Sequence, residues 1–269
     1  MEPIRVVING ALGRMGQEVT KAVVREPGLK AVGAVEKEVT QKYLPLAEAV
    51  ELIPFSSDLD SLLKVCNADV VVDFTNAEVS MAAARIALKQ KVNMVIGTTG
   101  LSEENLAEIE KLCQANKVGA VVAPNFSLGA ALLIHLSKIA AKFFDNAEII
   151  EMHHEKKADA PSGTAIATAR AMLQTRGKPF IYSEVTREVL GNTRGGQIDG
   201  IAIHSLRLPG FMAGQEVVFG RAGETLSLRH NAINRECYLP GVILAIKEVT
   251  KRKGLTYGLD ALLRFSLEL

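Results

Sequence analysis

The chain is poor in cysteine, in net charge and in long apolar runs, and each absence excludes a class of protein. It has three cysteines, Cys66, Cys113 and Cys237, an odd number without Cys-x-x-Cys spacing, which argues against a disulfide framework or a zinc site. Its 31 basic and 30 acidic residues leave a net charge of +1, so there is no electrostatic basis for binding nucleic acid or an acidic membrane surface. An anionic ligand would need a local basic pocket.

The apolar residues are spread along the chain rather than gathered in one segment. No run approaches the roughly 20 apolar residues that a membrane span requires, and the first residues enter a strand-like run without the basic start of a signal peptide. We therefore expect no membrane partner, reduced thiols and a cytoplasmic location, or an organellar one after removal of a targeting segment. With 269 residues, 48% of them hydrophobic, the chain can form one large or two modest domains.

Strand and helix patterns alternate in the first half of the chain. Predicted strands are Ile4–Asn9, Leu29–Val35, Asp69–Phe74, Val92–Ile96 and Val118–Ala123, and predicted helices are Gly13–Arg25, Ala77–Gln90 and Ser102–Ala115. Continuous apolar strands linked by helices are typical of a parallel sheet. The fold class predicted is α/β: a Rossmann-like doubly wound parallel sheet, with a second α+β domain carrying a mixed sheet.

The pattern changes after Pro124. We predict a helix over Leu128–Phe144, strands over Ala147–Lys156, Ile198–Leu206 and Glu216–Phe219, and a helix over Arg235–Thr250. Glycine-punctuated strands of this kind suit an antiparallel or mixed sheet. The domains expected are 1–124 with 236–269 for dinucleotide binding, and 125–235 for substrate binding and oligomerisation.

A glycine-rich turn joins the first predicted strand to the first helix. Gly10, Gly13 and Gly16 have the spacing G-x-x-G-x-x-G, looser than G-x-G-x-x-G, but the strand–turn–helix context is that of a pyrophosphate site. Glu36 ends the second strand, where an acidic side chain can bind ribose hydroxyls. Lys37 could accept a 2′-phosphate or be an ordinary solvated lysine, and Arg14 could reach a phosphate.

Two later loops follow strands and so should face the same ligand, because the crevice of such a sheet lies at the carboxyl ends of its strands. They are Gly97-Thr98-Thr99-Gly100 and Ala123-Pro124-Asn125-Phe126-Ser127. Their hydroxyl and backbone groups could bind a nicotinamide amide or ribose, or they could simply be turns.

The segment Glu151–Ala165 carries the chemistry. His153 and His154, as neighbours on a strand, should point to opposite faces and play different roles, and histidine exchanges a proton near neutral pH. Pro161 suits the first turn of a helix, and the residues after it would present hydroxyl and N–H groups to a carboxylate. A metal is not expected, since converging ligands are too few and nearby lysines would repel a cation. His135, His204 and His230 have no comparable neighbours in the sequence and are interpreted as structural residues or as secondary contacts.

These motifs, in this order, closely resemble those of the dihydrodipicolinate reductase (4-hydroxy-tetrahydrodipicolinate reductase) family of diaminopimelate and lysine biosynthesis. The resemblance spans nearly the whole chain and is most specific in His-His-x-x-Lys-x-Asp-Ala-Pro-Ser-Gly-Thr; Asp73-Phe74-Thr75 also matches. It implies reduction of a small cyclic dicarboxylate with NADH or NADPH, by a homotetramer. Position 37 is lysine where some members have arginine, which leaves NADPH preference the weakest inference.

The resemblance also implies a role for each matching residue. His153 matches the proton donor and Lys157 the second catalytic group. Substrate contacts are expected at His154, Ser162, Gly163 and Thr164. Cofactor contacts are expected at Gly10, Ala11, Leu12, Gly13, Arg14, Met15, Glu36, Lys37, Gly97, Thr98, Thr99, Ala123, Pro124, Asn125 and Phe126.

Two other functions are compatible with the same residues. One is a different nicotinamide-dependent reductase acting on a small carboxylate with a ketone or imine. The other is a protein that senses or binds NAD(P) without turnover, which would need the Gly10–Gly16 loop but not the segment from His153 to Thr164.

Overall fold

The computed structural model describes residues 2–46 and 51–263. The chain divides into two compact units: Met1–Leu128 together with Arg235–Leu269, and Gly129–Asn234. The chain therefore leaves the first unit once and returns to it. What each unit binds stays a prediction at this stage.

The described residues form twelve strands and seven α-helices. The strands are β1 Ile4–Asn9, β2 Leu29–Val35, β3 Phe55–Ser56, β4 Val70–Asp73, β5 Asn93–Ile96, β6 Gly119–Val122, β7 Asn146–His153, β8 Gly196–Ile198, β9 Ile201–Arg207, β10 Ala213–Arg221, β11 Glu224–Ala232 and β12 Gly254–Tyr257. The helices are α1 Arg14–Arg25, α2 Leu59–Cys66, α3 Ala77–Lys89, α4 Glu103–Asn116, α5 Leu128–Ala140, α6 Gly163–Arg176 and α7 Leu239–Val249, with a 3₁₀ turn at Arg235–Tyr238.

The first unit is built on a seven-stranded sheet with the order β12-β6-β5-β4-β1-β2-β3. Every pairing in it is parallel. Strands β4 and β6 are buried along their whole length, as expected for apolar strands covered on both faces. The prediction of a Rossmann-like doubly wound sheet is confirmed.

Helix ends in this unit follow from side chains at the caps. Ser102 accepts a hydrogen bond from Asn105 N, and the Asn105 side chain accepts one from Ser102 N, which forms a capping box at the start of α4. Asn76 caps α3 through Val79 N, and Asp58 caps α2 through Ser61 N. These polar residues satisfy the backbone donors that a helix start leaves without partners.

The second unit has a five-stranded sheet with the order β11-β10-β7-β9-β8. Strands β7 and β9 are parallel, and the other pairings are antiparallel. Residues of α5 and α6, including Leu133, Ala169 and Met172, join Ile149 and Phe219 in its buried core. The sheet is therefore mixed, as predicted.

Several predicted elements have other bounds in the structure. The helix expected over Arg235–Thr250 is a 3₁₀ turn followed by α7, and the strand expected over Glu216–Phe219 is the longer β10. The strand expected over Ala147–Lys156 stops at His153, because the chain turns there and Lys157 N donates to His154 O at 3.1 Å. The helix expected over Leu128–Phe144 ends at Ala140. The single strand expected over Ile198–Leu206 is a hairpin of β8 and β9, with Asp199 and Gly200 at positive φ in its turn.

Candidate active site

The glycine-rich turn of the first unit is tight and follows β1. Gly10 has φ +80°, a conformation that favours glycine. A Cβ on Gly16 would lie 1.9 Å from Gly10 O, so α1 can approach the turn this closely only with glycine there. Gly13 precedes the helix without a side-chain cap, which leaves the N–H groups of Arg14 and Met15 at a positive helix end. This is the geometry that suits a pyrophosphate.

The acidic residue predicted to bind ribose lies against this turn. The Glu36 carboxylate accepts hydrogen bonds from Leu12 N at 3.0 Å and from Lys37 N at 3.0 Å. Gly10 N and Ala11 N donate to Val35 O, which joins the turn to the end of β2. Lys37 and Arg14 are exposed. The structure therefore brings Glu36 and the turn together and leaves both cations at the surface.

A buried polar cluster lies under the same edge of the sheet. The Asp73 carboxylate, with no exposed area, accepts from Asn9 Nδ2 at 2.5 Å, Thr98 Oγ1 at 2.7 Å and Thr75 Oγ1 at 3.0 Å. Thr75 N also donates to Thr98 Oγ1 at 3.0 Å. These residues end β1 and β4 or follow β4 and β5, so the cluster fixes three of the loops at this edge.

The two later loops contain both packing and surface residues. A Cβ on Gly97 would lie 2.1 Å from the Phe74 ring, and Phe74 packs on buried Phe126 with ring centroids 5.8 Å apart. Ala123 N donates to Ile96 O, while Thr99 and Pro124 are exposed. Asn125 Oδ1 accepts from Ser127 N at 2.8 Å. Packing against Phe74 therefore accounts for glycine at position 97 and phenylalanine at position 126 without any ligand.

The second unit holds an acid–base cluster at the end of β7. The His153 Nδ1 atom lies 2.5 Å from Glu151 Oε2. Arg207 Nη1 donates to Glu151 Oε2 at 3.0 Å, and Arg207 Nη2 donates to Glu151 Oε1 at 2.8 Å. The Glu151 side chain is fully buried. A buried carboxylate is thus paired with one cation and one imidazole.

The loop after β7 is tied to this cluster. Arg207 Nη2 also donates to the backbone oxygen of Asp159 at 2.6 Å, and Lys157 Nζ donates to the Asp159 carboxylate at 2.6 Å. Ser162 N donates to Glu151 Oε1 at 3.2 Å, and the Ser162 hydroxyl caps α6 by accepting from Ala165 N. His153, Lys157 and the start of α6 are therefore joined in one network.

The structure corrects the premise of one local expectation for this segment and contradicts another. His154 follows the last residue of β7, so the alternation of faces along a strand does not apply to the pair; His154 is exposed and His153 half-buried. Pro161 does not stand in the first helical turn, because Ser162 is the N-cap and α6 begins at Gly163. The Ala160–Pro161 peptide bond is cis. Gly163 and Thr164 are the first two helical residues, and a Cβ on Gly163 would meet no atom within 4 Å.

The pKa values of both His153 and Glu151 lie below their usual ranges, for different reasons. Burial lowers the pKa of His153, and the neighbouring Glu151 carboxylate opposes this only in part. Burial acts to raise the pKa of Glu151, but hydrogen bonds from Arg207, Ser205 and His153 outweigh it, so that pKa lies below its usual range. The lowered pKa keeps Glu151 a carboxylate at neutral pH, and its oxygen lies within hydrogen-bond distance of His153 Nδ1.

Among the residues that the structure describes, the cysteines are free thiols, and there is no cluster of metal ligands and no membrane-spanning helix. No group of three or more His, Cys, Asp or Glu side chains there could hold a metal ion. The three cysteines are free thiols, and burial raises the pKa of Cys113 to about 12. Within residues 2–46 and 51–263, no helix has the length and apolar content to cross a membrane.

The fold and these two groups of residues define a two-unit α/β protein with a Rossmann-like parallel sheet in one unit and an acid–base cluster in the mixed-sheet unit. The amine dehydrogenase of Mycobacterium smegmatis shares this fold, at 17% identity and a TM-score of 0.66, with 97% of this chain and 96% of that chain covered. Sequence profiles are more specific. Those described as dihydrodipicolinate reductase, N-terminus and C-terminus, match residues 4–126 and 129–263. The chain belongs to the dihydrodipicolinate reductase family.

Individual relatives agree with this assignment. A 4-hydroxy-tetrahydrodipicolinate reductase of Dehalococcoides mccartyi is 53% identical over 264 residues, covering 98% of this chain and 100% of the relative. The solved structure of a dipicolinate-bound dihydrodipicolinate reductase from Paenisporosarcina sp. TG-14 is 36% identical. It superimposes with a TM-score of 0.87 over 97% of this chain and 100% of that chain.

The structure gives contacts in these groups to residues for which sequence reasoning gave no individual role: Asn9, Asp73, Thr75, Glu151 and Arg207. Glu151 had a signal, because it lies two residues before His153 and alternate residues of a strand share a face. Asn9 and Asp73 are the polar ends of apolar strands. Arg207 is 56 residues from Glu151 in sequence, and only the pairing of β9 with β7 brings them together.

Proposed function

We propose that this chain is an NAD(P)H-dependent reductase that converts 4-hydroxy-tetrahydrodipicolinate to tetrahydrodipicolinate in the diaminopimelate route to lysine. The observation that carries the proposal is the network joining His153, Lys157 and the start of α6, found in a chain whose full length matches reductases of that name. A proton donor, a cation and a helix N-terminus are what reduction of a dicarboxylate requires.

The first unit is proposed to bind the cofactor. Glycine at positions 10 and 16 lets the turn and the start of α1 pack tightly, because a Cβ at either position would collide with neighbouring protein atoms, and the Glu36 carboxylate accepts a hydrogen bond from Leu12 N. These features fit a dinucleotide whose pyrophosphate meets the helix end and whose ribose meets Glu36. The remaining cofactor contacts are proposed in three loops at the carboxyl ends of the strands, at the residues given for them in the sequence analysis. These loops contain Gly10–Met15, Gly97–Thr99 and Ala123–Phe126. The reduced nicotinamide supplies a hydride when bound.

The second unit is proposed to bind and protonate the substrate. The Lys157 ammonium, His154 and the N–H groups of Gly163 and Thr164 would hold its carboxylates, with Ser162 fixing the helix start. After the substrate loses water to give a conjugated ene-imine and hydride adds to the ring, His153 donates the proton that completes the reduction. Lys157 also stabilises negative charge as it develops.

The nicotinamide form used is a separate proposal. Glu36 supports binding of the NADH ribose, and the exposed Lys37 supports acceptance of the NADPH 2′-phosphate, so we propose that both cofactors serve. Replacing Lys37 with Ala should raise KM for NADPH and leave KM for NADH near the wild-type value. Equal changes for the two cofactors would remove Lys37 from cofactor selection.

The assembly proposed is a cytoplasmic homotetramer. The family resemblance supports the tetramer, and the second unit exposes Ile181, Val185, Val189 and Leu190, with exposed fractions from 51% to 86%. Free thiols are usual in the cytoplasm. Light scattering on the purified protein would give the mass directly, and a monomer would contradict the proposal.

One assay tests the reaction. The purified protein is mixed with enzymatically generated 4-hydroxy-tetrahydrodipicolinate and NADH, and loss of the reduced-nicotinamide absorbance is followed. Turnover with this substrate supports the proposal. Turnover only with other keto or imino acids favours a different reductase, and cofactor binding without any turnover favours a nucleotide sensor.

A further inference from the structure

We propose that Glu151 and Arg207 are positioning residues that fix His153 through its Nδ1 atom, so that Nε2 is the nitrogen that gives the proton to the substrate. This inference rests on the proposed function, because it concerns the proton donor of that reaction. It also extends it, because neither residue is needed to explain cofactor or substrate binding.

The geometry fixes the ring in one orientation. Glu151 Oε2 lies 2.5 Å from His153 Nδ1, and the carboxylate can only accept there, so Nδ1 carries a proton. The remaining nitrogen, Nε2, is then the one that changes its protonation during the reaction. In many active sites, a carboxylate that contacts one ring nitrogen of a histidine fixes its tautomer in this way.

Arg207 fixes the carboxylate in turn. Its two terminal nitrogens donate to the two Glu151 oxygens at 2.8 and 3.0 Å, which is the two-pronged pairing that holds a carboxylate in one plane. Strand register explains the placement, because Arg207 lies opposite His153, and Ser205 lies opposite Glu151. Arg207 also holds the Asp159 backbone oxygen, and Glu151 holds Ser162 N. One ion pair therefore aligns the histidine, the Lys157 loop and the start of α6.

The charges around His153 give the two positioning residues opposite effects. Glu151 raises the pKa of His153, whereas Lys157 and Arg207 lower it. The opposing strand β10 places Ala213 beside His153 and Gln215 beside Glu151, and neither titrates. Removing the carboxylate should therefore make His153 harder to protonate, and removing the guanidinium should make it easier.

The test is the pH profile of kcat/KM for the hydroxy-substrate. In Glu151→Gln the limb at which activity falls with rising pH should move to lower pH by about one unit or more, and kcat should fall about 100-fold. In Arg207→Met the same limb should move to higher pH. A merely structural role predicts loss of folded protein without opposite shifts. Unchanged profiles in both folded variants would overturn the inference.

Two further variants keep the outcome clear. If Arg207→Met does not fold, Arg207→Lys keeps the charge but not the two-pronged pairing. It should retain the pH of the wild-type limb and lower kcat. A wild-type kcat would count against positioning.

Glu148→Gln is the control, because it changes a glutamate of the same strand that also contacts a histidine and an arginine. It should leave kcat within about twofold of wild type, as expected for a partly exposed ion pair.

A measurement without turnover separates this inference from the proposed function. Nitrogen-15 NMR of the imidazoles, assigned with His153→Gln, should show His153 with its proton on Nδ1 in the wild type and a mixture of tautomers in Glu151→Gln. If the wild type did not reduce the hydroxy-substrate, the proposed function would fail while this signature remained. An Nε2-protonated His153 in the neutral wild type would overturn the inference itself.

Discussion

Strand β7 carries two Glu–His–Arg clusters that differ in how far the carboxylate is removed from water. Glu151 is fully buried and contacts His153 and Arg207. Glu148 keeps 37% of its side chain exposed and contacts His204, at 2.8 Å, and Arg194. The same three residue types therefore occur in two environments on one strand.

The partners come from different kinds of structure. Arg207 lies on β9, held in register against β7, and donates to both oxygens of its carboxylate. Arg194 belongs to a turn before β8, and its guanidinium lies 5.5 Å from the centre of the Tyr182 ring. An arginine fixed by a strand orients its partner more strictly than one from a turn, because less of its position is free to vary.

The difference teaches that composition alone does not mark a functional cluster. The Glu151 pair is costly to break, because loss of one partner leaves a buried charge without compensation, and the backbone N–H of Ser162 extends the pair to the start of α6. Exposure makes the Glu148 pair weak, since water competes for both charges. Four experiments can break or sharpen this contrast.

The largest effect is expected on catalysis at the buried cluster. Lys157, paired with Asp159 in the adjoining loop, should be required for the reaction, and Lys157→Ala should lower kcat by about 100-fold or more, because a cation that stabilises developing charge is lost. NADH affinity, measured by fluorescence titration, should not change. Lys178→Ala is the matched control, since Lys178 also pairs with an aspartate of the second unit, Asp145, at 3.7 Å. Near-normal turnover in Lys157→Ala would remove Lys157 from the mechanism.

A second contrast concerns stability. Arg207→Met leaves the buried Glu151 carboxylate without its main counter-charge and should lower the free energy of unfolding by about 3–5 kcal/mol. Arg194→Met breaks a partly exposed pair and should cost about 1 kcal/mol or less. Urea denaturation of both variants measures the difference. Equal losses would show that the two clusters do not differ in the way their burial indicates.

Much of the fold could be predicted from the sequence because its signals are local. Strands β1 and β2 have the predicted bounds, since each is an apolar run ended by a glycine turn or a charged pair. Ser102 marked the start of α4 because a cap acts within three residues. The Asp199–Gly200 dipeptide is typical of hairpin turns, but the prediction ran one strand across it, because apolar residues stand on both sides.

In the second unit, the sequence predicted a group only of residues that are contiguous along the chain. His153, Lys157 and Ser162 lie in one segment, and their residue types indicated proton transfer and anion binding. Arg207 lies in another segment and gives no local signal, because only the parallel pairing of β7 with β9 defines its partner. The turn after His153 was missed for a similar reason, since a strand can end without glycine or proline when tertiary contacts hold the next residues.

A third experiment compares how the stability that each of the two glutamates adds depends on pH. For both glutamates burial acts to raise the pKa, but hydrogen bonds, from Arg207 for Glu151 and from His204 and Arg194 for Glu148, hold it below its usual value. A carboxylate with a lowered folded-state pKa adds stability above its unfolded pKa of about 4.3, and that stability is lost as the pH falls through the folded-state pKa. Glu151→Gln and Glu148→Gln should each flatten the acid decline of the unfolding free energy below about pH 5. Denaturation at several pH values measures this slope, and a wild-type slope in both variants would contradict the lowered pKa values.

The smallest effect is expected at the start of α6, which the Glu151 cluster contacts through Ser162 N and the Glu148 cluster does not. A Cβ on Gly163 would meet nothing beyond its own stretch of helix within 4 Å, so Gly163→Ala should not lower stability. It should raise KM for the substrate about tenfold if a carboxylate approaches this backbone. Gly177, the residue that ends α6 at φ +75°, is the matched control. Gly177→Ala should cost about 1 kcal/mol of stability, because a side chain is strained in that conformation, and leave KM unchanged. Thermal unfolding and steady-state kinetics on both variants separate the two ends of the helix, and an unchanged KM in Gly163→Ala would place the substrate carboxylate elsewhere.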